Sequence, residues 1–167
     1  ATSILATGTL KALSYNVAGL PLGLSSSSPQ LYTTQISPKL NTYDLVLVQE
    51  DFSYHTDLQQ HAAHAHQSLP LAQFASLVND GLNRFSQTPY VDFVRERWSV
   101  CNGLWNASND CLSSKGFSVA RHELAPGAEV DIYNLHADAG GSAADQNART
   151  VQLAQLATFV QSYSAGR

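Results

Sequence analysis

Residues 45–48, within the segment 43–50 (YDLVLVQE), constrain the fold of this chain more than any other stretch. Four consecutive β-favouring apolar residues are typical of a strand that is buried on both faces, as in α/β proteins. The run is followed at once by Gln49, Glu50 and Asp51. A carboxylate at the end of a buried strand is a candidate metal ligand, and the alternative interpretation is a salt-bridged strand end.

A second predicted strand, over 130–135, also ends in polar residues. Asn134, His136 and Asp138 occupy alternate positions, and alternate side chains of an extended chain lie on the same face. A histidine with an amide and a carboxylate beside it can serve in acid/base or electrophilic chemistry. The alternative is an ordinary polar strand end that runs into a turn at Gly140-Gly141.

Apolar spacing and turn residues predict the other elements of the chain. They are a strand ending at Asn16, a helix within 29–41, a helix over 54–66, an edge strand over 91–100, a strand over 115–122 and a long helix over 142–163. The Pro126-Gly127 turn predicts that the strands over 115–122 and 130–135 form a hairpin. Ser142 with Asp145 three residues later indicates a capped start of the long helix.

The segment 54–66 is rich in histidine. His61 and His64 are three residues apart and can share a helix face, which is a spacing that helical metal sites use. Neither has a cysteine or a fixed acid nearby in the sequence. We therefore favour a solvated, histidine-rich helix face over a metal site.

Length and charge narrow the class of protein. The 167 residues suit one domain, and no linker divides them. The formal net charge is −4 and the nine Lys and Arg residues are scattered, so no basic stripe for tight nucleic-acid binding is present. No apolar run has the length of a membrane span, and the first residues do not resemble a leader peptide, which fits a cytosolic or a mature secreted protein.

The two cysteines, Cys101 and Cys111, bracket a polar loop that contains the glycosylation sequon Asn106-Ala107-Ser108. This arrangement predicts a disulfide and an oxidising, extracellular compartment, and the alternative is two free thiols with a chance sequon. Leu104 and Trp105 in the loop, with Trp98 before it, could contact a lipid surface or simply pack the loop.

Four segments in order resemble the first half of the endonuclease/exonuclease/phosphatase superfamily, which has the deoxyribonuclease-I-like fold. They are residues 10–21 (LKALSYNVAGLP), 43–51 (YDLVLVQED), 114–124 (SKGFSVARHEL) and 130–140 (VDIYNLHADAG), followed by Asp145, Arg149 and Gln152 on a helix. The resemblance implies the N-terminal half of a four-layer α/β/β/α sandwich with mixed, largely antiparallel sheets. Residues 1–167 would then be the N-terminal portion of one such domain, and a second chain carrying the C-terminal half would complete it.

The resemblance also implies the roles of individual residues. Glu50 is expected to ligate Mg²⁺ or another divalent cation, Asn16 to support that metal site, and His136 to contact the scissile phosphate. We expect the remaining substrate contacts from three polar side chains, namely Asn134, Asp138 and Lys115. The chemistry implied is metal-dependent hydrolysis of a phosphate diester.

Details of the same segments resemble the secreted, sphingomyelinase-like branch of the superfamily. These details are Asp138-Ala139-Gly140 after the histidine and the Lys115-Gly116-Phe117 hairpin strand. The expected substrate is therefore a phospholipid such as sphingomyelin. Two alternatives remain, a secreted endonuclease that cleaves DNA or RNA and a non-catalytic binding domain that retains the fold.

Overall fold

The computed structural model describes residues 7–24, 27–72, 78–103 and 110–165. Within these residues seven strands form two sheets, and three α-helices and two 3-10 helices connect or cover them. The strands are β1 (Ala12–Asn16), β2 (Leu45–Gln49), β3 (His66–Gln67), β4 (Asn83–Ser86), β5 (Tyr90–Arg97), β6 (Gly116–Ala125) and β7 (Ala128–Leu135). The helices are α1 (Pro29–Ile36), α2 (His55–Gln59) and α3 (Ala143–Tyr163), with 3-10 helices at Ser37–Thr42 and Asp110–Leu112.

The first sheet has the strand order β1-β2-β4-β3. β1 is parallel to β2, with Asn16 opposite Gln49, whereas β4 is antiparallel to both β2 and β3. The apolar run of β2 lies in the core as predicted, because Val46 and Val48 are fully buried with Phe85 of β4. Because β1 and β2 are parallel neighbours, their carboxyl ends lie side by side.

The second sheet is an antiparallel meander in the order β5-β6-β7. The predicted hairpin between the strands around 120 and 130 is confirmed, and its turn contains Gly127 with a positive φ of 75°. The predicted edge strand is confirmed as β5. Only the β1–β2 pair is parallel among the described strand pairs, so the predicted mixed, largely antiparallel α+β fold is confirmed.

The two sheets are tied together by buried polar side chains. Asn134 of β7 donates to the carbonyl oxygens of Val48 (2.9 Å) and Asn83 (3.3 Å) in the first sheet. The fully buried Arg84 of β4 reaches the other way, to the carbonyl oxygen of Ile132 and to His122 Nε2. These bonds satisfy polar groups that burial removes from water.

The helix α3 begins with the predicted capping pair. The Ser142 side chain accepts a hydrogen bond from the Asp145 backbone N–H, and the Asp145 carboxylate accepts one from the Ser142 backbone N–H. Its buried face contains Ala148 and the fully buried Gln152, whereas Val151 is 44% exposed. No described helix is both long and apolar enough to cross a bilayer.

The prediction of one helix over residues 54–66 is wrong, because within this segment only His55–Gln59 is α-helical. The chain turns away after Gln59, and two of its histidines are buried rather than solvated. His64 bonds through Nε2 to the Tyr43 carbonyl oxygen (3.0 Å), and its ring lies edge-on to Phe85. His61 is exposed, so His61 and His64 do not share a site.

Candidate functional site

The side chains that follow β1 and β2 meet at the common end of these strands. Asn16 Nδ2 donates to Glu50 Oε1 at 2.8 Å, and Asn16 Oδ1 accepts the backbone N–H of Ala18 at 2.9 Å. The oxygen and the nitrogen of the Asn16 side-chain amide are therefore both hydrogen-bonded, which fixes the orientation of the amide. The parallel register that puts Asn16 opposite Gln49 brings the amide next to the carboxylate.

His136 reaches the same carboxylate from the second sheet. Its Nε2 lies 3.6 Å from Glu50 Oε1, just beyond the end of β7. The backbone at His136 is held on both sides, since its N–H donates to the Gly116 carbonyl (3.0 Å) and its carbonyl accepts from Trp98 Nε1 (2.8 Å). Glu50 and His136 thus meet although they come from different sheets.

The environment of His136 keeps its ring neutral. Burial, reinforced by the positive charge of Lys115, lowers the pKa of His136 to about 3. Its Nδ1 is buried and bonds to no partner within the described part of the chain. A neutral imidazole with a free ring nitrogen can donate or accept one further hydrogen bond.

A cavity of about 300 Å³ opens at this point, and its wall includes Glu50, His136 and Lys115. Apolar side chains form much of the remaining wall, among them Leu20, Leu24, Phe52 and Leu112. A cavity with apolar walls and a few convergent polar groups is typical of a ligand site. A slightly larger cavity, about 350 Å³, lies beside residues 7–10 and the turn end of the β6–β7 hairpin, away from these polar groups.

Lys115, on the cavity wall, forms an ion pair with Asp110. Its Nζ is 2.5 Å from Asp110 Oδ1, and the other oxygen of Asp110 accepts the backbone N–H of Ala139 at 2.8 Å. Burial raises the pKa of the Asp110 carboxyl, and the hydrogen bond from Lys115 opposes that rise. Asp110 was not among the residues singled out in the sequence, since no local pattern connects it to a cavity that distant segments build.

The structure does not place Asn134, His136 and Asp138 on one face as expected. β7 ends at Leu135, so the alternation of an extended strand does not continue to Asp138. Asn134 is buried between the sheets, where it also accepts from Gln49 Nε2 (2.7 Å). Asp138 is also buried. Its Oδ1 accepts a hydrogen bond from Gln152 Nε2 (2.7 Å), and its Oδ2 accepts one from the backbone N–H of Asn102 (2.6 Å). Neither side chain lines the 300 Å³ cavity, and a substrate contact by either one stays a prediction.

The donor set suits one hard cation. Glu50 offers a carboxylate that is 22% exposed towards the cavity, and Asn16 holds that carboxylate from the side. Among the described residues no group of three or more His, Cys, Asp or Glu side chains forms a closed metal cage. Mg²⁺ is commonly bound by one or two carboxylates with water and substrate phosphate as the other ligands, so these residues fit it.

The predicted disulfide between Cys101 and Cys111 is present, with Cα atoms 5.4 Å apart. The sequon residue Asn106 lies outside the described residues, as do Leu104 and Trp105. Trp98 is 5% exposed and packs on Phe117 at 5.2 Å between ring centroids. The suggestion that Trp98 contacts lipid is therefore wrong, because its ring is part of the core.

A buried cluster of polar side chains lies next to Glu50, and no sequence pattern predicts it. Asp51 Oδ2 lies 2.5 Å from His55 Nδ1 and accepts from Asn83 Nδ2 at 2.8 Å. Asn83 Oδ1 in turn accepts a hydrogen bond from Arg95 Nη2. The other terminal nitrogen of Arg95, Nη1, forms an ion pair with both carboxylate oxygens of Asp80. The cluster fixes the residue next to Glu50 from inside the protein.

Known proteins resemble this chain over nearly all of its length. Sphingomyelinases of Mycobacterium bovis and Mycobacterium tuberculosis are 37% identical over 96% of the chain. The chain is thus similar in sequence to sphingomyelinases. It spans about a third of their length, 32%. No protein-family model matches the sequence.

Solved structures show the same fold. Sphingomyelinase C of Streptomyces griseocarneus has a TM-score of 0.78 at 21% identity, over 95% of this chain and 60% of that one. A Staphylococcus aureus beta toxin variant with bound magnesium ions has a TM-score of 0.75 at 19% identity, over 91% and 59%. An endonuclease/exonuclease/phosphatase of Beutenbergia cavernae has a TM-score of 0.60 at 14% identity, over 88% and 43%. The expected resemblance to this superfamily and to its sphingomyelinase-like members is confirmed.

Proposed function

We propose that this chain is the N-terminal part of a divalent-metal-dependent phosphodiester hydrolase that acts on sphingomyelin. The observation that carries the proposal is that Glu50 and His136, from different sheets, meet within 3.6 Å on the wall of one cavity. Similarity to mycobacterial sphingomyelinases supports both the reaction class and the substrate. The magnesium ions in a beta toxin structure support the choice of cation.

Each side chain would have a separate task in this reaction. Glu50 would hold the cation, and Asn16 would keep the carboxylate pointed into the cavity. When bound, Mg²⁺ supplies polarisation of a phosphoryl oxygen and offsets the negative charge that develops on it. The neutral His136 would hydrogen-bond an ester oxygen of the phosphate, and Lys115 would contribute positive charge beside it.

A further segment is proposed to complete the domain, either on a second chain or on a longer polypeptide. β1 is an edge strand of the first sheet and β7 is an edge strand of the second, so each has one side free to pair among the described strands. Four of the five residues of β1 are exposed. Unpaired strand edges are normally covered or paired in native proteins. A well-folded and fully active sample with a native mass of 18.0 kDa would contradict this proposal.

The proposed setting is an extracellular lipid surface. The disulfide supports an oxidising compartment, and glycosylation at Asn106 would be compatible with it. At the mouth of the cavity Leu24 is 65% exposed, and the neighbouring Leu22 is 75% exposed. Exposed aliphatic side chains beside a site suit peripheral contact with lipid acyl chains.

The substrate is tested with the complete protein that contains this chain, supplied with Mg²⁺ and either sphingomyelin vesicles or supercoiled plasmid. The proposal expects phosphocholine release and an intact plasmid. Plasmid nicking without phosphocholine release would instead establish the endonuclease alternative. Vesicle or plasmid binding without turnover of either substrate, in folded protein, would establish a non-catalytic binding domain.

A further inference from the structure

Glu50 has an unusual backbone conformation for a residue with a side chain. Its φ is +57°, in the left-handed region, at the position where β2 ends. Such a conformation is disfavoured for residues other than glycine, and it persists where the surrounding structure enforces it. The conformation turns the chain sharply after Gln49 and directs the carboxylate to Asn16 and His136.

Gly19 lies against Glu50 on the side of β1. Its backbone N–H donates to the Glu50 carbonyl oxygen at 2.9 Å, and its own carbonyl accepts from Ser53 at 3.1 Å. A Cβ atom on Gly19 would lie 2.6 Å from the Glu50 carbonyl oxygen, well inside van der Waals contact. Only glycine therefore permits this close approach of the two backbones.

Gly81 lies against Glu50 on the other side, just before β4. A Cβ atom there would lie 3.0 Å from both the backbone nitrogen and the Cα of Glu50, and 2.6 Å from a ring carbon of Phe52. Gly81 itself has a φ of +64°, and its carbonyl accepts the N–H of Asp51 at 3.1 Å. The Glu50 peptide is thus held between two glycines that come from different loops.

The Gly81 loop is anchored independently of Glu50. Asn79 Oδ1 accepts the backbone N–H of Gly81 at 2.9 Å, and Asp80 Oδ1 accepts that of Leu82 at 3.1 Å. Arg95 holds the Asp80 carboxylate with contacts of 2.5 and 2.7 Å. Asn79 and Asp80 are buried, so these bonds form a rigid base for the loop.

We propose that Gly19 and Gly81, which we call the glycine clamp, are positioning residues that fix the left-handed Glu50 so that its carboxylate faces the cation site. The proposal extends the proposed function, because it assumes that Glu50 is the metal ligand. Neither glycine lines the 300 Å³ cavity, and both lie against the Glu50 backbone, so the role assigned to them is exerted through that backbone.

The test is Gly81→Ala, with Gly127→Ala as the matched control. Both glycines have positive φ, but a Cβ on Gly127 would meet nothing within 4 Å, so both variants carry backbone strain and only the first one displaces Glu50. In the complete protein we expect Gly81→Ala to raise the Mg²⁺ concentration for half-maximal phosphocholine release by about tenfold or more. Gly127→Ala should leave that concentration unchanged. Equal Mg²⁺ dependence in the two variants would overturn the proposal.

A second measurement needs neither metal nor substrate. In metal-free ¹⁵N-labelled protein, the Asn16 side-chain amide reports the hydrogen bond to Glu50. Its resonance should move in Gly81→Ala and stay in place in Gly127→Ala, and an unmoved resonance in Gly81→Ala would contradict the clamp. If wild-type protein has no metal-dependent activity, the proposed function fails, and this measurement still decides whether the clamp exists.

A milder variant covers the case in which Gly81→Ala does not fold. Asn79→Ala removes the acceptor that holds the Gly81 N–H and adds no atom near Glu50. We expect the same changes in Mg²⁺ dependence and in the Asn16 resonance, with smaller size. Wild-type behaviour of Asn79→Ala in both measurements would then overturn the proposal.

Discussion

Asn16 Nδ2 donates a 2.8 Å hydrogen bond to Glu50 Oε1, and this bond connects the ends of two neighbouring parallel strands. Among the described residues, Oε2 of the same carboxylate accepts no side-chain hydrogen bond. The arrangement holds Glu50 in place while leaving an oxygen for a cation, which is the division of labour expected around a metal ligand.

Replacing Glu50 with Gln tests whether its charge is needed. Glutamine keeps the length of the side chain and an acceptor oxygen, so folding should be retained while the attraction for a divalent cation is lost. We expect metal-dependent turnover to disappear, as measured by phosphocholine release at saturating Mg²⁺. The matched control is Glu129→Gln on the exposed hairpin, which should behave as wild type. Unchanged activity of the Glu50 variant would remove Glu50 from the site.

His136→Ala separates turnover from metal binding. If the imidazole acts on the phosphate ester, its removal should lower turnover by about a hundredfold or more and leave the Mg²⁺ affinity near the wild-type value. Isothermal titration with Mg²⁺ and the rate assay give the two quantities. His61→Ala, on the exposed surface, is the control. A variant with full turnover would contradict the proposed role of His136.

His122 makes the stability of the fold depend on pH. Burial, reinforced by the charge of Arg84, lowers the pKa of His122 to about 4, well below the usual value for histidine of about 6.5. The unfolded chain therefore takes up a proton more readily than the folded chain does, so stability is lost as the pH falls through this interval. Linkage gives a loss of roughly 2 kcal/mol between about pH 7.5 and pH 5 from this one group.

The variant His122→Gln provides the comparison, because glutamine can still accept the hydrogen bond from Arg84 Nη1 but does not titrate. Urea unfolding of both proteins at the two pH values gives the free energies of unfolding. The wild-type protein should lose more stability than the variant on acidification. Equal losses would show that His122 takes up no proton on unfolding.

The Cys101–Cys111 disulfide should contribute about 2–3 kcal/mol to the free energy of unfolding, since it closes a short loop in the unfolded chain. The double variant Cys101→Ser/Cys111→Ser measures this in urea unfolding. Adding a reductant to wild-type protein should give a similar loss and leave the double variant unaffected. No difference between oxidised and reduced wild-type protein would contradict the prediction.

Local patterns were sufficient for the elements whose sequence signals are self-contained. The buried run of β2, the Pro126-Gly127 turn and the Ser142–Asp145 cap each depend on a few adjacent residues, and the structure has all three. The same patterns put Asn16 and Glu50 at strand ends. That these two residues touch follows from the parallel pairing of β1 with β2.

Tertiary contacts decided what the sequence could not predict. The helix over 54–66 stops early, and His64 packs on Phe85 of a distant strand. Alternating side-chain positions predict that Asn134, His136 and Asp138 share one face of an extended strand. The strand ends at Leu135, however, and the Asp138 carboxylate accepts a hydrogen bond from Gln152 instead. The role of Gly81 arises from a backbone approach to Glu50, which only the assembled fold creates.

Metal-dependent hydrolysis of sphingomyelin is tested by phosphocholine release from sphingomyelin vesicles by the complete protein, measured with Mg²⁺, then with EDTA, and then with Mg²⁺ restored in excess. We expect release that EDTA abolishes and Mg²⁺ restores, and we expect no release from the Glu50→Gln variant at any stage. Release that continues undiminished in EDTA, or no release at all from folded and complete protein, would contradict it.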